Sequence, residues 1–153
     1  MRRAVLMINY SSSGPSYLMH YGDYRVMKRI LVVDDEIGAL TLIGIMLERG
    51  GFEVLKAKDA DQAQDVLELE TPDLIILDVM MPGMDGIELC RVLRERPDTT
   101  ELPILILSAR GDAKSVMNGM DAGANDYLPK PILHHDLVAK VRRMLNLDPV
   151  AED

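Results

Sequence analysis

From Lys28 onward, short runs of β-branched and aliphatic residues alternate with stretches whose apolar positions recur every three or four residues. "RILVVD" (29–34) reads as a strand, and "GALTLIGIMLERG" (38–50) as a helix ended by Gly50–Gly51. "FEVLKA" (52–57) is a second strand. "ADQAQDVLELE" (60–70) is a helix with Ala63, Val66 and Leu67 inward, stopped before Pro72. "DLIILD" (73–78) is the third strand and "GIELCRVLRE" (86–95) the next helix. "PILILS" (103–108) is a strand with Pro103 at its first residue, where a missing N–H does least harm. "AKSVMNGMDAG" (113–123) is a helix, "DYLP" (126–129) a short strand, and "HDLVAKVRRMLN" (135–146) the last helix.

These are five β–α units. Three of the strands are apolar on both faces, which suits a parallel sheet covered by helices on each side. The predicted fold class is α/β, doubly wound. In such sheets functional groups gather at the carboxyl ends of the strands, near the point where strand order reverses. The first 27 residues lack this pattern and hold Tyr10, Tyr17, Tyr21 and Tyr24, whereas Tyr127 is the only tyrosine later. They read as a poorly ordered extension with a short helix around Tyr17–Tyr21, ahead of a domain over 28–146 and a short tail over 147–153. Met27, opening "MKRILVVDDE", offers an alternative start of translation.

Composition sharpens this picture in three ways. A formal net charge of -8 argues against a nucleic-acid surface and suits a binder of divalent cations. Cys90 is the single cysteine, so no internal disulfide forms and a reducing cytoplasm is expected. No apolar run approaches the roughly 18 residues needed to span a bilayer. The stretch after Arg2 and Arg3 breaks at Asn9, too early for an export signal, so neither membrane nor export is expected.

The strand ends carry the candidate chemistry. The first strand ends in Asp34–Asp35, the third in Asp78 and the fourth in Ser108, and Lys130 follows the fifth. All should share one rim of the sheet. Two carboxylates about 4 Å apart repel by about 4 kcal/mol at an effective dielectric of about 20. Three carboxylates and one lysine sum to −2, the charge that one divalent ion neutralises. Oxygen donors without nearby His or Cys select a hard ion, Mg2+, over zinc. Lys130 and Ser108 suit the oxygens of a phosphoryl group, and Asp78 suits a nucleophile that forms an aspartyl phosphate. Each residue alone also has a plain structural use: a solvated turn, a helix cap, a solvated lysine. Asp85 reads as part of a capping box with Glu88. His134 and His135 begin a helix without ligand spacing to the carboxylates.

Taken together, "ILVVDDE", "DLIILDVMMPGMDG", "LILSA" and "GANDYLPKP" resemble the receiver domain of two-component response regulators over about residues 28 to 146. The resemblance implies a flavodoxin-like five-stranded sheet in the order 2-1-3-4-5. It implies that Asp78 accepts a phosphoryl group from the phosphohistidine of a sensor histidine kinase or a phosphotransfer protein. Asp35, Asp78 and the backbone carbonyl of Met80 would ligate Mg2+, and Asp34 would orient metal-bound water. Lys130 would contact the phosphoryl group, Ser108 would move to hydrogen-bond it, and Tyr127 would swing inward behind it. The Lys130–Pro131 bond would be cis. Ser108 stands where the family more often has Thr, and Ile132 where it often has Phe. An apolar Met80 offers no help to an attacking water, so a phosphoryl state of moderately long life is expected.

The face of the fourth helix, fifth strand and fifth helix would meet a downstream protein partner and could serve a homodimer. With only "LDPVAED" after Asn146, a stand-alone receiver without direct nucleic-acid contact is expected. It would catalyse only its own phosphorylation and dephosphorylation, so it is expected not to be an enzyme in the usual sense. Two rivals stand beside this reading. One is a non-phosphorylated scaffold of the same fold. The other is a Mg-dependent phosphatase of the haloacid dehalogenase class, which would carry a D-x-D after its first strand, not the adjacent pair seen here. A dinucleotide-binding enzyme would need a Gly-rich turn where "VVDDEIGAL" stands.

Overall fold

Five strands, β1 (Arg29–Val33), β2 (Glu53–Ala57), β3 (Leu74–Asp78), β4 (Ile104–Ser108) and β5 (Asp126–Pro129), form one sheet in the order β2-β1-β3-β4-β5. Every pairing in it is parallel. The computed structural model describes residues 10–11, 14–15 and 27–147. The connecting helices are α1 (Ile37–Arg49), α2 (Ala60–Leu69), α3 (Gly86–Glu95), α4 (Ala113–Asp121) and α5 (His134–Met144). The ten elements predicted from Lys28 onward all form, with boundaries shifted by a residue or two. A separate antiparallel pair joins Tyr10–Ser11 to Gly14–Pro15. The helix expected around Tyr17–Tyr21 lies outside the described residues.

The period of two along each strand divides the interior into two cores. Leu31, Val33, Ile75, Leu77, Ile104 and Ile106 point to one side, where Ala63 and Leu67 of α2 and Leu89, Cys90 and Leu93 of α3 cover them. Ile30, Val32, Leu74, Ile76, Leu105 and Leu107 point to the other, against Leu40, Ile43 and Leu47 of α1 and Leu137, Val138 and Val141 of α5. This explains the uninterrupted apolar runs: alternate residues fill opposite cores. Shortening one such side chain leaves a hole that neighbours fill only in part. We expect Ile76→Ala to cost about 3 kcal/mol, read from the urea midpoint at an unchanged slope.

Side-chain caps mark the starts of α2, α3 and α4. Asp59 Oδ1 accepts from the Gln62 N–H (2.8 Å), Asp85 Oδ1 from Glu88 (2.9 Å) and Asp112 Oδ1 from Ser115 (3.0 Å). Each bond satisfies a donor that the first helical turn cannot, worth about 1 kcal/mol. The end of α1 lies where Gly51 takes a left-handed backbone (φ 92°), a conformation glycine adopts without a Cβ penalty.

Candidate functional site

Register brings the polar strand ends together. Val33 of β1 lies opposite Leu77 of β3, so Asp34 falls beside Asp78. Asp78 lies opposite Leu107, which puts Ser108 one residue further along β4. Ser108 lies opposite Pro129, which puts Lys130 one residue further again. Backbone bonds continue the ladder past the last pairs: Asp34 N–H to Ala57 O (3.1 Å), Val79 N–H to Leu107 O (3.0 Å) and Lys130 N–H to Ser108 O (2.7 Å). The site is therefore an extension of the sheet and shares its rigidity.

Carboxylate oxygens of Asp34, Asp35 and Asp78 lie within 4.8 Å of one another. Among the described residues this is the one group of acids, histidines or cysteines placed to hold a metal ion; His134 and His135 are not in it. Asp34 and Asp78 are buried, whereas Asp35 is exposed at the mouth. Two backbone donors and one ammonium hold the acids in place. The Glu36 N–H donates to Asp34 Oδ1 (3.0 Å), and the Met80 N–H donates to Asp78 Oδ1 (3.2 Å). Lys130 Nζ lies 3.1 Å from Asp78 Oδ2. Its side chain keeps 35% of its surface exposed, so solvent screens part of that attraction.

This support is incomplete. Asp34 Oδ2 and Ser108 Oγ are buried without a hydrogen-bond partner. Burial pushes the Asp34 carboxyl up to about 6; the Glu36 N–H opposes that, the Asp78 charge adds to it, and Lys130 again opposes it. A cation would compensate this buried acid. The donors are all oxygens, so a hard divalent ion fits them. Receiver domains generally bind Mg2+, and Asp34, Asp35 and Asp78 are the residues here that could do so.

The remaining predicted residues surround this centre. Ser108 is buried at the end of β4 and Tyr127 is 41% exposed on β5, so the tyrosine faces solvent here. The Met80 side chain is 69% exposed beside the phosphoacceptor candidate. The Lys130–Pro131 bond is cis. Lys130 also lines a cavity of about 330 Å3 together with Arg110, Leu128, Ile132, Leu133 and Asp136. Ile132 packs against the α1–α5 core. Sequence reasoning missed one contributor, Gly86. Its N–H bonds Val79 O (3.2 Å), and a Cβ there would overlap the Asp78 carbonyl oxygen. The glycine straight after the Asp85 cap was the available signal.

A flavodoxin-like parallel sheet whose carboxyl edge carries three acids, a hydroxyl and a lysine defines a class of phosphorylation-linked signalling domains. The family model for the response regulator receiver domain matches residues 30–142, and the chain belongs to that family, the receiver domains of two-component response regulators. It is 45% identical over 120 residues to the phosphate regulon transcriptional regulatory protein PhoB of Rhizobium meliloti (strain 1021), covering 78% of this chain and 53% of that protein. It is 42% identical over 124 residues to the alkaline phosphatase synthesis transcriptional regulatory protein PhoP of Bacillus subtilis (strain 168), covering 81% and 51%. The chemotaxis response regulator CheY4 of Vibrio cholerae superposes with a TM-score of 0.73 at 30% identity, over 77% of this chain and 98% of that one. The signal receiver domain of a signal transduction histidine kinase from Syntrophus aciditrophicus gives 0.72 at 34% identity, over 78% and 90%.

The chain spans about half the length of the curated relatives it matches. Those relatives are transcriptional regulatory proteins, and the expectation of no direct nucleic-acid contact finds no support in them. Among the described residues, no helix is long and apolar enough to cross a membrane.

Proposed function

We propose that the protein is a cytoplasmic signalling switch set by phosphorylation of Asp78. The observation that carries this reading is the meeting of Asp34, Asp35 and Asp78, with Lys130 Nζ 3.1 Å from Asp78. The donor is the phosphohistidine of a sensor histidine kinase or phosphotransfer protein. An Asp78 carboxylate oxygen attacks phosphorus, the P–N bond breaks, and its electron pair leaves on the imidazole. Asp35, Asp78 and the Met80 carbonyl would hold Mg2+, with Asp34 orienting its water, and the ion when bound would offset the negative charge gathered there. Lys130 binds a phosphoryl oxygen and holds it in line. The cavity beside Lys130 leaves room for part of the donor. The protein then catalyses only its own phosphorylation and dephosphorylation and acts on no separate substrate.

The orphaned Ser108 Oγ supports a switching role. A phosphoryl group carries up to about two negative charges and three acceptor oxygens, so a buried hydroxyl without a partner gains one by moving toward it. That movement vacates space which Tyr127 can enter from its exposed position. Carrying a population from mostly inactive to mostly active needs about 5.5 kcal/mol. Hydrogen bonds to charged groups contribute about 1.5–3 kcal/mol each, so about two to four of them suffice. The signal passes through the α4, β5 and α5 face to a protein partner or a second copy.

The test is a pull-down with wild type and Asp78→Asn, with and without a small phosphodonor and Mg2+. Donor-dependent binding by wild type alone is the expected result. Equal binding under all conditions would favour a constitutive scaffold. The same samples time the phosphoryl state by mass spectrometry. With Met80 apolar and exposed it should outlast seconds, and decay within seconds would count against the role given to Met80.

A further inference from the structure

Three methionines follow Asp78 within six residues, and the fold treats them differently. Met81 is buried, and Met84 is half-buried against the same core. Met80 stands outside with 69% of its surface exposed, the highest value among the described methionines. Its backbone does not share that freedom. The Met80 N–H is bonded to Asp78 Oδ1 (3.2 Å), and the Val79 carbonyl just before it is closed by the Gly86 N–H (3.2 Å). A flexible thioether therefore hangs from a fixed point beside the acids, open to solutes.

Exposure alone does not single this residue out. Met117 (65%) and Met120 (40%) are open on α4, where only Gly119 is buried, and Met27 (48%) is open ahead of β1. What separates Met80 is its neighbour. Met27 lies at the end of β1 away from the acids, since Asp34 follows the other end. Only Met80 has its own backbone tied to the Asp78 carboxylate. A change of chemistry on its side chain is therefore delivered to the surroundings of Asp78. Among the reactions open to a thioether, oxidation is the one that converts a flexible apolar group into a polar one, and a reductase undoes it.

We propose that Met80 is an oxidation site through which hydrogen peroxide shortens the life of the phosphoryl group on Asp78. The inference rests on the reading of Asp78 as phosphoacceptor. A sulfur lone pair attacks one peroxide oxygen and the O–O bond breaks. The second oxygen takes up the proton of the transferred hydroxyl and leaves as water. Sulfur is oxidised by two electrons and the peroxide is reduced. The product is a sulfoxide, whose oxygen accepts hydrogen bonds where only apolar surface stood. Loss of the phosphoryl group needs a water to attack phosphorus, while the P–O bond to Asp78 breaks and its electron pair returns to the carboxylate. The sulfoxide oxygen holds that water by one O–H; a thioether is only a weak acceptor. Met81 and Met84 are shielded by the core, so the packing beneath the loop is spared.

The test is limited treatment of the whole chain with hydrogen peroxide, followed by removal of the oxidant. Peptide mass spectrometry should find sulfoxide at Met80 well before Met81 and Met84. Treated and untreated protein are then charged with a small phosphodonor and Mg2+, stripped of donor, and timed by intact-protein mass spectrometry. Oxidation should shorten the phosphoryl lifetime about three- to ten-fold, the reach of one added hydrogen bond to the attacking water. Methionine sulfoxide reductases for both epimers should restore it. Met80→Leu should lose the response, and the double variant Met117→Leu/Met120→Leu should keep it. Met80→Gln, a permanent acceptor of similar length, should decay faster than wild type without peroxide. Sulfoxide arising first at Met81 or Met84, a lifetime unmoved by sulfoxide at Met80, a response that survives Met80→Leu, one abolished by the α4 double variant, or unchanged decay in Met80→Gln overturns the inference. Failure of untreated wild type to take up any phosphoryl group would instead reject Asp78 as acceptor, and the inference with it.

Discussion

Asp78→Asn should fold and yet take up no phosphoryl group from a small phosphodonor in the presence of Mg2+, as read by intact-protein mass spectrometry. The amide keeps the shape of the side chain and can still accept from the Met80 N–H, the bond now made by Oδ1. It lacks a nucleophilic oxygen anion, so covalent transfer stops. It also removes the charge facing Asp34, one of the causes that raise the Asp34 carboxyl. It loses the Lys130 ion pair as well (3.1 Å), so the metal-free variant should stay within about 1 kcal/mol of wild type. A phosphoryl adduct of undiminished yield on Asp78→Asn would move the acceptor elsewhere and break the proposed function.

Asp34→Asn should separate stability from function. The Asp34 carboxyl titrates at about 6 in the folded chain against 3.8 for an ordinary aspartate. The folded state thus holds this proton more tightly than the unfolded state. The stability that the group contributes is fully present below about pH 4, is lost as pH rises toward 6, and is absent at neutral pH. Removing the charge at pH 7 should stabilise the metal-free protein by about 3 kcal/mol, measured from urea unfolding. The gain should vanish below about pH 4. Mg2+ should reverse the order: binding to the folded state adds RT ln(1 + [Mg2+]/Kd), and a variant short of one carboxylate gains less. In wild type, Mg2+ affinity should fall as pH drops through about 6, because a protonated Asp34 no longer contributes its charge to the metal site. Equal unfolding curves for the two metal-free proteins at pH 7 would remove strain at Asp34 from the account.

Such a trade between fold and site explains what could be read in advance. The five strands and five helices were legible because each alternation of apolar residues has one physical outcome in a two-sided sheet. The strand-end acids, Ser108 and Lys130 were legible because parallel strands deliver their carboxyl ends to one rim. The weak seating of α4 was not. "AKSVMNGMDAG" has helical spacing, and nothing in it says that Met117 and Met120 remain outside while a glycine supplies the contact. Arg94 was equally hidden. In "RVLRE" it reads as a solvated helix residue, and its acceptors are backbone carbonyls and Asn125, up to 31 positions away. The outward Tyr127 and the raised Asp34 carboxyl depend on packing distances that no motif records.

The close approach of Gly86 to Asp78 makes residues 79–85 a ring of fixed circumference. Insertion or deletion there would disturb the Gly86 N–H bond to Val79 O at the end of the strand that carries Asp78. Met80, whose side chain is exposed, can be exchanged there without disturbing the packing beneath, whereas Met84 packs against the core. Under the proposed function, the lifetime of the phosphoryl state could then be tuned at residue 80 without rebuilding the strand end that carries Asp78.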